Sequence, residues 1–122
     1  MASTKTVTEV LSAVTLTAGA GNTTSDPVDL ADGYGATLNI KLANGATGPT
    51  VAAQVQVQVS EDNSEWYNFG GALIGSKVAN AVTSWGGIII PIATKYLRLV
   101  AGSNTGQNVV VDADLSEVTA IA

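Results

Sequence analysis

The chain has 122 residues, 10 aspartates and glutamates, 5 lysines and arginines and a net charge of −5, a size that fits one domain. It has no cysteine and no histidine, which excludes disulfides, thiolate chemistry, the usual zinc ligands and the commonest general base. Its few cations look scattered and its charged residues make up only 12%, which argues against nucleic-acid binding and indicates an uncharged polar surface.

The N-terminal third predicts strands after a short polar start. We expect residues 1–5 to form a flexible arm and residues 6–122 to form a single β-sandwich domain. Residues 6–17 are predicted as the first strand, whose apolar residues change parity near Val10 and Leu11. A bulge at that point, or burial on both faces, would explain the change.

The next strands are predicted from a proline and from alternation. Residues 23–30 are predicted as a short edge strand, because Pro27 cannot donate a ladder hydrogen bond. Residues 34–42 alternate cleanly, with the apolar side chains of Ala36, Leu38, Ile40 and Leu42 predicted to point inward. This pattern indicates a half-buried strand.

A hairpin is the clearest prediction in the chain. Residues 51–59 alternate strictly between apolar residues on one face and the glutamines Gln54, Gln56 and Gln58 on the other. Residues 60–64 form the predicted turn, in which Asp62 and Asn63 can fold their side chains onto nearby amides. Residues 65–69 resume as a strand.

Three further strands follow a longer connection over residues 70–80. Residues 81–91 end in Ile88-Ile89-Ile90-Pro91, which predicts a buried strand stopped by proline, and residues 96–100 and 109–121 are predicted as the last two strands. About eight strands at roughly 8–12-residue spacing, without an amphipathic helix, predict an all-β fold, an antiparallel β-sandwich or jelly roll.

The aromatic residues are the candidate binding residues. Trp66 and Tyr67 follow the turn, Trp85 lies on another predicted strand, and aromatic platforms of this kind stack on sugar rings. With Asn63 in the turn they form the predicted binding set. The alternative is that they fill or cover the core. Two glycines after Trp85 indicate a bulge or a close backbone approach.

The carboxylates do not predict catalysis. Asp26, Asp29 and Asp32 are spaced to converge on a hard cation, but solvated turn carboxylates that protect an edge strand are the favoured interpretation. Asp112 and Asp114 share a face and are interpreted as charged edge protection, because acid/base pairs need a deep cleft. We predict no metal site, no cofactor and no enzymatic activity.

Two segments carry a resemblance to a known family. Val57-Gln58-Val59-Ser60-Glu61-Asp62-Asn63-Ser64-Glu65-Trp66, followed by Lys95-Tyr96-Leu97-Arg98-Leu99, resembles the galactose-binding-like (discoidin-type) jelly rolls. In that family a strand ends in V-S-x-D-x-S-x-W and a later strand carries an A-R-Y-[IV]-R-[IL]-like run. The resemblance implies that Trp66 covers the hairpin and the core.

The whole chain also looks like the small β-sandwich accessory proteins of tailed-bacteriophage virions, especially capsid decoration (cement) proteins. This resemblance implies a non-enzymatic structural protein on the capsid surface, in contact with copies of itself as a dimer or trimer and with a capsid or other virion protein. The alternative is a carbohydrate-binding module of a phage tail or fibre, or of a secreted protein, with glycan as partner. Without an apolar N-terminal segment or an 18-residue apolar window, we expect neither an export signal nor membrane contact.

Overall fold

Two antiparallel sheets pack face to face in the computed structural model, which describes residues 3–121. Four strands form one sheet in the order β1-β10-β4-β8. Six form the other, in the order β2-β9-β5-β6, with β3 also paired to β9 and β7 to β5. The strands are β1 (Ser3–Leu16), β2 (Thr23–Thr24), β3 (Val28–Asp29), β4 (Ala36–Asn44), β5 (Gln54–Ser60), β6 (Tyr67–Asn68), β7 (Leu73–Ile74), β8 (Val82–Ile90), β9 (Tyr96–Gly102) and β10 (Val109–Ile121). The predicted all-β sandwich is confirmed.

The core follows from the two-residue period of the central strands. Alternate residues of β4, β5, β9 and β10 point between the sheets, where burial of each large aliphatic side chain contributes about 1.5–3 kcal/mol. The predicted inward faces of β4 and β5 are confirmed. The largest fully buried side chains are Leu16, Leu38, Ile40, Leu42, Ile90, Leu97, Leu99, Leu115, Val55, Val109 and Val111.

Strand β1 begins earlier than the hydrophobic pattern predicts. Ser3–Lys5, assigned from sequence to a flexible arm, are paired with the end of β10, and Lys5 lies opposite Val118. Met1 and Ala2 lie outside the described residues. The polar start of β1 shows no hydrophobic alternation, although threonine favours extended backbone, and it pairs with the end of β10.

The parity change in β1 is explained by bulges. The register with β10 shifts on both sides of Leu11, which confirms the bulge and not the alternative of burial on both faces. Ala13 adopts a φ of 46°, and its amide donates to the Asp112 Oδ1 at 2.7 Å. The carboxylate therefore satisfies an amide that the irregular ladder leaves unpaired.

A further bulge lies in β8. Ile40 of β4 is opposite Trp85, whereas Leu38 is opposite Ile88, so Gly86 and Gly87 together face one residue, Asn39. The Gly87 amide donates to Asn39 Oδ1 at 2.9 Å, and the Gly87 φ is +68°. The bulge predicted from the two glycines is confirmed. It shifts the period so that Trp85 and Ile88 both pack against the core.

The triple isoleucine of β8 is only partly buried. Ile90 is buried, but Ile89 is 73% exposed, so the prediction of a buried strand was wrong at that residue. The reason is that β8 is an edge strand and that no further layer covers the outer face of its sheet. Similarly, Val51 precedes β5 and is about half exposed, because only an isolated bridge to Thr105 joins it to the sheet.

Candidate functional site

The predicted binding residues lie on two different sheets. Trp66 comes just before β6, and its ring lies under the Arg98 guanidinium, 4.3 Å from the guanidinium carbon to the ring centroid. Trp85 belongs to the four-stranded sheet and packs against the core. The structure therefore brings Trp66, Tyr67 and Asn63 to one end of the hairpin and leaves Trp85 apart.

A hydrogen-bonded row crosses the outer face of the six-stranded sheet. Arg98 Nε donates to Gln58 Oε1 at 2.8 Å, and Gln58 Nε2 donates to Asn68 Oδ1 at 3.1 Å. We call Trp66, Arg98, Gln58 and Asn68 the amide row. Arg98 is thus held on one side by an aromatic face and on the other by an amide. It makes no ion pair with any residue that the structure describes.

Sequence reasoning did not assign Arg98 and Gln58 to a binding surface. They lie opposite each other in the antiparallel register of β5 and β9. The sequence shows that both strands alternate, but the register that pairs Gln58 with Arg98 comes from the tertiary structure.

The hairpin turn is held by its own polar side chains. Asp62 Oδ1 accepts from the amides of Ser64 and Glu65, each at 2.9 Å. These backbone donors hold the pKa of the Asp62 carboxyl below its ordinary value. Asn63 has a φ of 59°, and its amide donates to Ser60 Oγ at 3.0 Å. The described contacts of the turn are therefore local.

Tyr67 is the exposed aromatic residue of the predicted set. Its side chain is 60% exposed, and its hydroxyl donates to Glu65 Oε2 at 3.1 Å. One face of the Trp66 ring, by contrast, is covered by Arg98. Stacking of a ligand ring at this end of the hairpin would involve Tyr67 or the opposite face of Trp66.

The outer face of the four-stranded sheet has a shallow depression of about 420 Å³. Asp114 Oδ1 accepts from Asn39 Nδ2 at 3.0 Å, and Asp112 binds the Ala13 amide, so both carboxylates support bulges. Their interpretation as edge protection was wrong, because β10 lies between β1 and β4. Lys41 and Ser84 complete the polar lining.

Three carboxylates meet beside the turn that follows β3. Glu117 lies near Asp29 and Asp32, and burial, followed by repulsion from these two charges, raises the pKa of the Glu117 carboxyl. Its carboxylate packs on Gly33, so the Glu117 side chain would have to shift to admit a Cβ at that position. Within residues 3–121, no group of three or more acidic side chains is arranged to hold a metal ion.

The unpaired side of β8 is the second unusual surface. We call residues 78–92 the β8 edge. It carries four of the exposed large hydrophobic residues of the described chain, Val78, Val82, Ile89 and Ile92. Its sequence contains no ionisable residue. Long apolar edges of this kind favour pairing with another strand.

Comparisons with known proteins show the fold. No family model matches the sequence, and a search of curated proteins found no match. The infectious bursal disease virus Gx strain structure aligns with a TM-score of 0.62 at 11% identity, over 94% of this chain and 32% of the viral chain. The SPBc2 prophage-derived protein YomS aligns with a TM-score of 0.54 at 12% identity, over 95% of this chain and 96% of YomS.

The chain thus spans about a third of the viral chain and nearly all of YomS. At these identities the likeness is one of fold. None of the described residues forms a helix that is long and apolar enough to cross a membrane.

Proposed function

We propose that the chain is a non-enzymatic structural protein of a virion, which decorates and stabilises the capsid of a tailed bacteriophage. It binds the outer surface of the capsid through contacts with a capsid or other virion protein, and it associates with copies of itself. Its expected location is therefore the virion, at the capsid surface.

The surface is the observation that carries this proposal. The described chain offers two open sheet faces with few charges and an uncharged apolar edge, and the depression on the four-stranded sheet is shallow. Flat faces with few charges can be covered by a protein partner at a small desolvation cost. Repeated contacts of modest strength then add across the many copies on a particle.

The fold supports the choice of a virion among the possible assemblies. The same β-sandwich occurs in a prophage-derived protein of nearly equal length and within a chain of an infectious bursal disease virus structure. This support is an analogy of fold, since a sandwich serves many functions.

Co-sedimentation tests the proposal. The protein is mixed with empty heads assembled from the major capsid protein encoded in the same genome, and we expect saturable binding at a fixed ratio to capsid subunits. Val57→Asp, which should not fold, is the control for trapping of unfolded chains. Wild-type protein that stays in the supernatant at all ratios would contradict capsid decoration.

A second candidate function is a carbohydrate-binding module of a phage tail or fibre. The amide row favours it, because Arg98, Gln58 and Asn68 present polar groups beside Trp66 on one sheet face. Titration with a panel of polysaccharides should then change tryptophan fluorescence, and Gln58→Ala should weaken the effect. An unchanged spectrum with every glycan would dismiss this function for the panel used.

A further inference from the structure

The hydrogen bonds of the amide row all run in one direction. Arg98 has no acceptor atom, so Gln58 offers its oxygen to Arg98 Nε, and Gln58 Nε2 donates in turn to Asn68 Oδ1. Both amide oxygens of the row therefore already accept a bond from within it. The N–H groups on the two terminal nitrogens of Arg98 and on Asn68 Nδ2 have no partner among residues 3–121. The row thus presents free donors to a ligand.

The free end of Arg98 is held in place and open to solvent. The Trp66 ring covers one face of the guanidinium, and Gln58 fixes Nε. Within the described residues, the one unpaired buried side-chain nitrogen or oxygen is Asn104 Oδ1, so the unpaired terminal nitrogens of Arg98 reach solvent. They form a flat, two-pronged donor group that matches the two oxygens of a carboxylate. Because the side chain is already ordered, binding there costs little conformational entropy.

A single cation favours a ligand group with a single negative charge. Arg98 is the one cation of the amide row. Its described contacts are those with Trp66 and Gln58, and they do not include Asp26, which lies between β2 and β3, the two strands that pair with β9 beside it. One carboxylate would balance the guanidinium, whereas a phosphate monoester carries nearly two charges and would leave one uncompensated on an acidic protein.

The surroundings of Arg98 favour a sugar as the carrier of this carboxylate. Gln56 lies two residues before Gln58 on the same face of β5, about 7 Å along the strand. Its Nε2 donates to two backbone carbonyl oxygens, so Gln56 Oε1 remains available as an acceptor. Sugar hydroxyls both donate and accept, and they would use this acceptor together with the donors of the row. An acidic protein side chain offers acceptors alone.

We propose that the outer face of the six-stranded sheet binds an acidic polysaccharide, with a carboxylate of one sugar residue on the terminal nitrogens of Arg98. Hydroxyl groups of the same polysaccharide bind Asn68 and Gln56. This inference rests on the second candidate function, carbohydrate binding, and names its ligand class.

Isothermal titration calorimetry tests the role of the charge with oligomers of galacturonate, mannuronate and sialic acid, each beside its carboxyl-reduced form. We expect at least one acidic oligomer to bind and its reduced form to bind more than about tenfold more weakly, because the reduced form lacks the charged hydrogen bonds to Arg98. Arg98→Gln should cause the same loss with the acidic oligomer. Gln58→Glu should also cause it, since the new carboxylate would pair with Arg98 from within the chain.

Lys41→Gln is the matched control. It removes one cation, as Arg98→Gln does, but from the opposite sheet, where Lys41 lines the shallow depression. This variant should bind like the wild type. Circular dichroism verifies that each variant keeps the sandwich. Poly-L-glutamate, which carries carboxylates without hydroxyls, should bind more weakly than the acidic oligomer.

Four results would contradict the inference. Reduced oligomers that bind as tightly as the acidic ones would remove the carboxylate from the ligand and leave carbohydrate binding standing. Equal binding of poly-L-glutamate would remove the sugar. Equal losses for Lys41→Gln and Arg98→Gln would show attraction by overall charge. If no acidic oligomer binds, the inference is wrong, while the polysaccharide titration and the co-sedimentation experiment still decide the two candidate functions separately.

Discussion

Gly87→Ala should destabilise the sandwich through the backbone alone. The Gly87 φ of +68° lies in the left-handed region, where a Cβ destabilises the folded state by about 1–2 kcal/mol. No atom lies within 4 Å of the Cβ that alanine would add, so there is no steric cost to include. Alanine also lowers the conformational entropy of the unfolded chain, which offsets about 0.5 kcal/mol of this loss. We therefore expect a net loss of about 1 kcal/mol, or about 4 °C in Tm.

Gly86→Ala is the matched control in the same bulge. Gly86 has no positive φ, and its new Cβ would meet only Asn39 Oδ1 at 3.4 Å, so its stability should change by less than about 0.5 kcal/mol. Urea unfolding followed by tryptophan fluorescence measures both variants at one protein concentration, because self-association adds to apparent stability. Equal losses for the two variants, or no loss for Gly87→Ala, would refute the assignment of the cost to the left-handed backbone.

Three further outcomes are expected. Val57→Asp should lower the free energy of unfolding by about 3–5 kcal/mol and abolish cooperative unfolding, because Val57 is only 3% exposed. Gln56→Asp, on the outer face, should lower it by less than about 1 kcal/mol. If circular dichroism shows that both variants are equally well folded, the register of β5 is wrong. Ala13→Gly should raise the free energy of unfolding by about 0.5–1 kcal/mol, since it relieves a φ of 46°; a loss in urea titration would contradict this. The raised pKa of the Glu117 carboxyl means that the folded state binds this proton more tightly than the unfolded state does. Stability should therefore fall as the pH rises from 4.5, the ordinary pKa of this group, through the raised pKa of the folded state. Glu117→Gln should flatten this part of the plot of Tm against pH.

The parts of the fold that could be predicted are those in which one face is buried. Strands β4 and β5 alternate because each packs one side on the core, so their inward residues follow directly from the sequence. The bulge at Gly86 and Gly87 could also be predicted, because adjacent glycines inside an apolar strand are typical of a position where the ladder is interrupted.

Edges and registers could not be predicted in the same way. Ile89 belongs to an apolar run that looks fully buried, and only the strand order shows that β8 has no neighbour on one side. Asp112 and Asp114 look like edge charges because the sequence does not show where β10 lies in the sheet. In the structure they lie on an interior strand and bind groups of the neighbouring strands. Strand order depends on distant segments, and a local hydrophobic period carries no information about it.

The candidate site shows the same division. Trp66 was expected to cover the hairpin and the core, but its ring lies under Arg98 on the outer face of the six-stranded sheet, and the residues that pack against the core do not include it. The pairing of Arg98 with Gln58 joins residues 40 positions apart, and their bond depends on the register of β5 and β9. Trp85 shares no surface with Trp66, because Trp85 lies on β8 of the four-stranded sheet and Trp66 precedes β6 of the six-stranded sheet. Aromatic composition alone could not separate the two tryptophans.

Charge distribution gains its meaning only from the topology. The five cations look scattered along the sequence, and the net charge of −5 suggests that copies of this chain repel one another. In the fold, Lys41, Asp112 and Asp114 line the depression on the four-stranded sheet, whereas Arg98 lies on the six-stranded sheet, so the charges differ between the two faces of the molecule. A repulsive net charge and the proposed self-association are then compatible, because screening over about 8 Å at physiological salt leaves only the charges near a contact to act. Orientation, and not total charge, would therefore decide which surfaces of two copies meet.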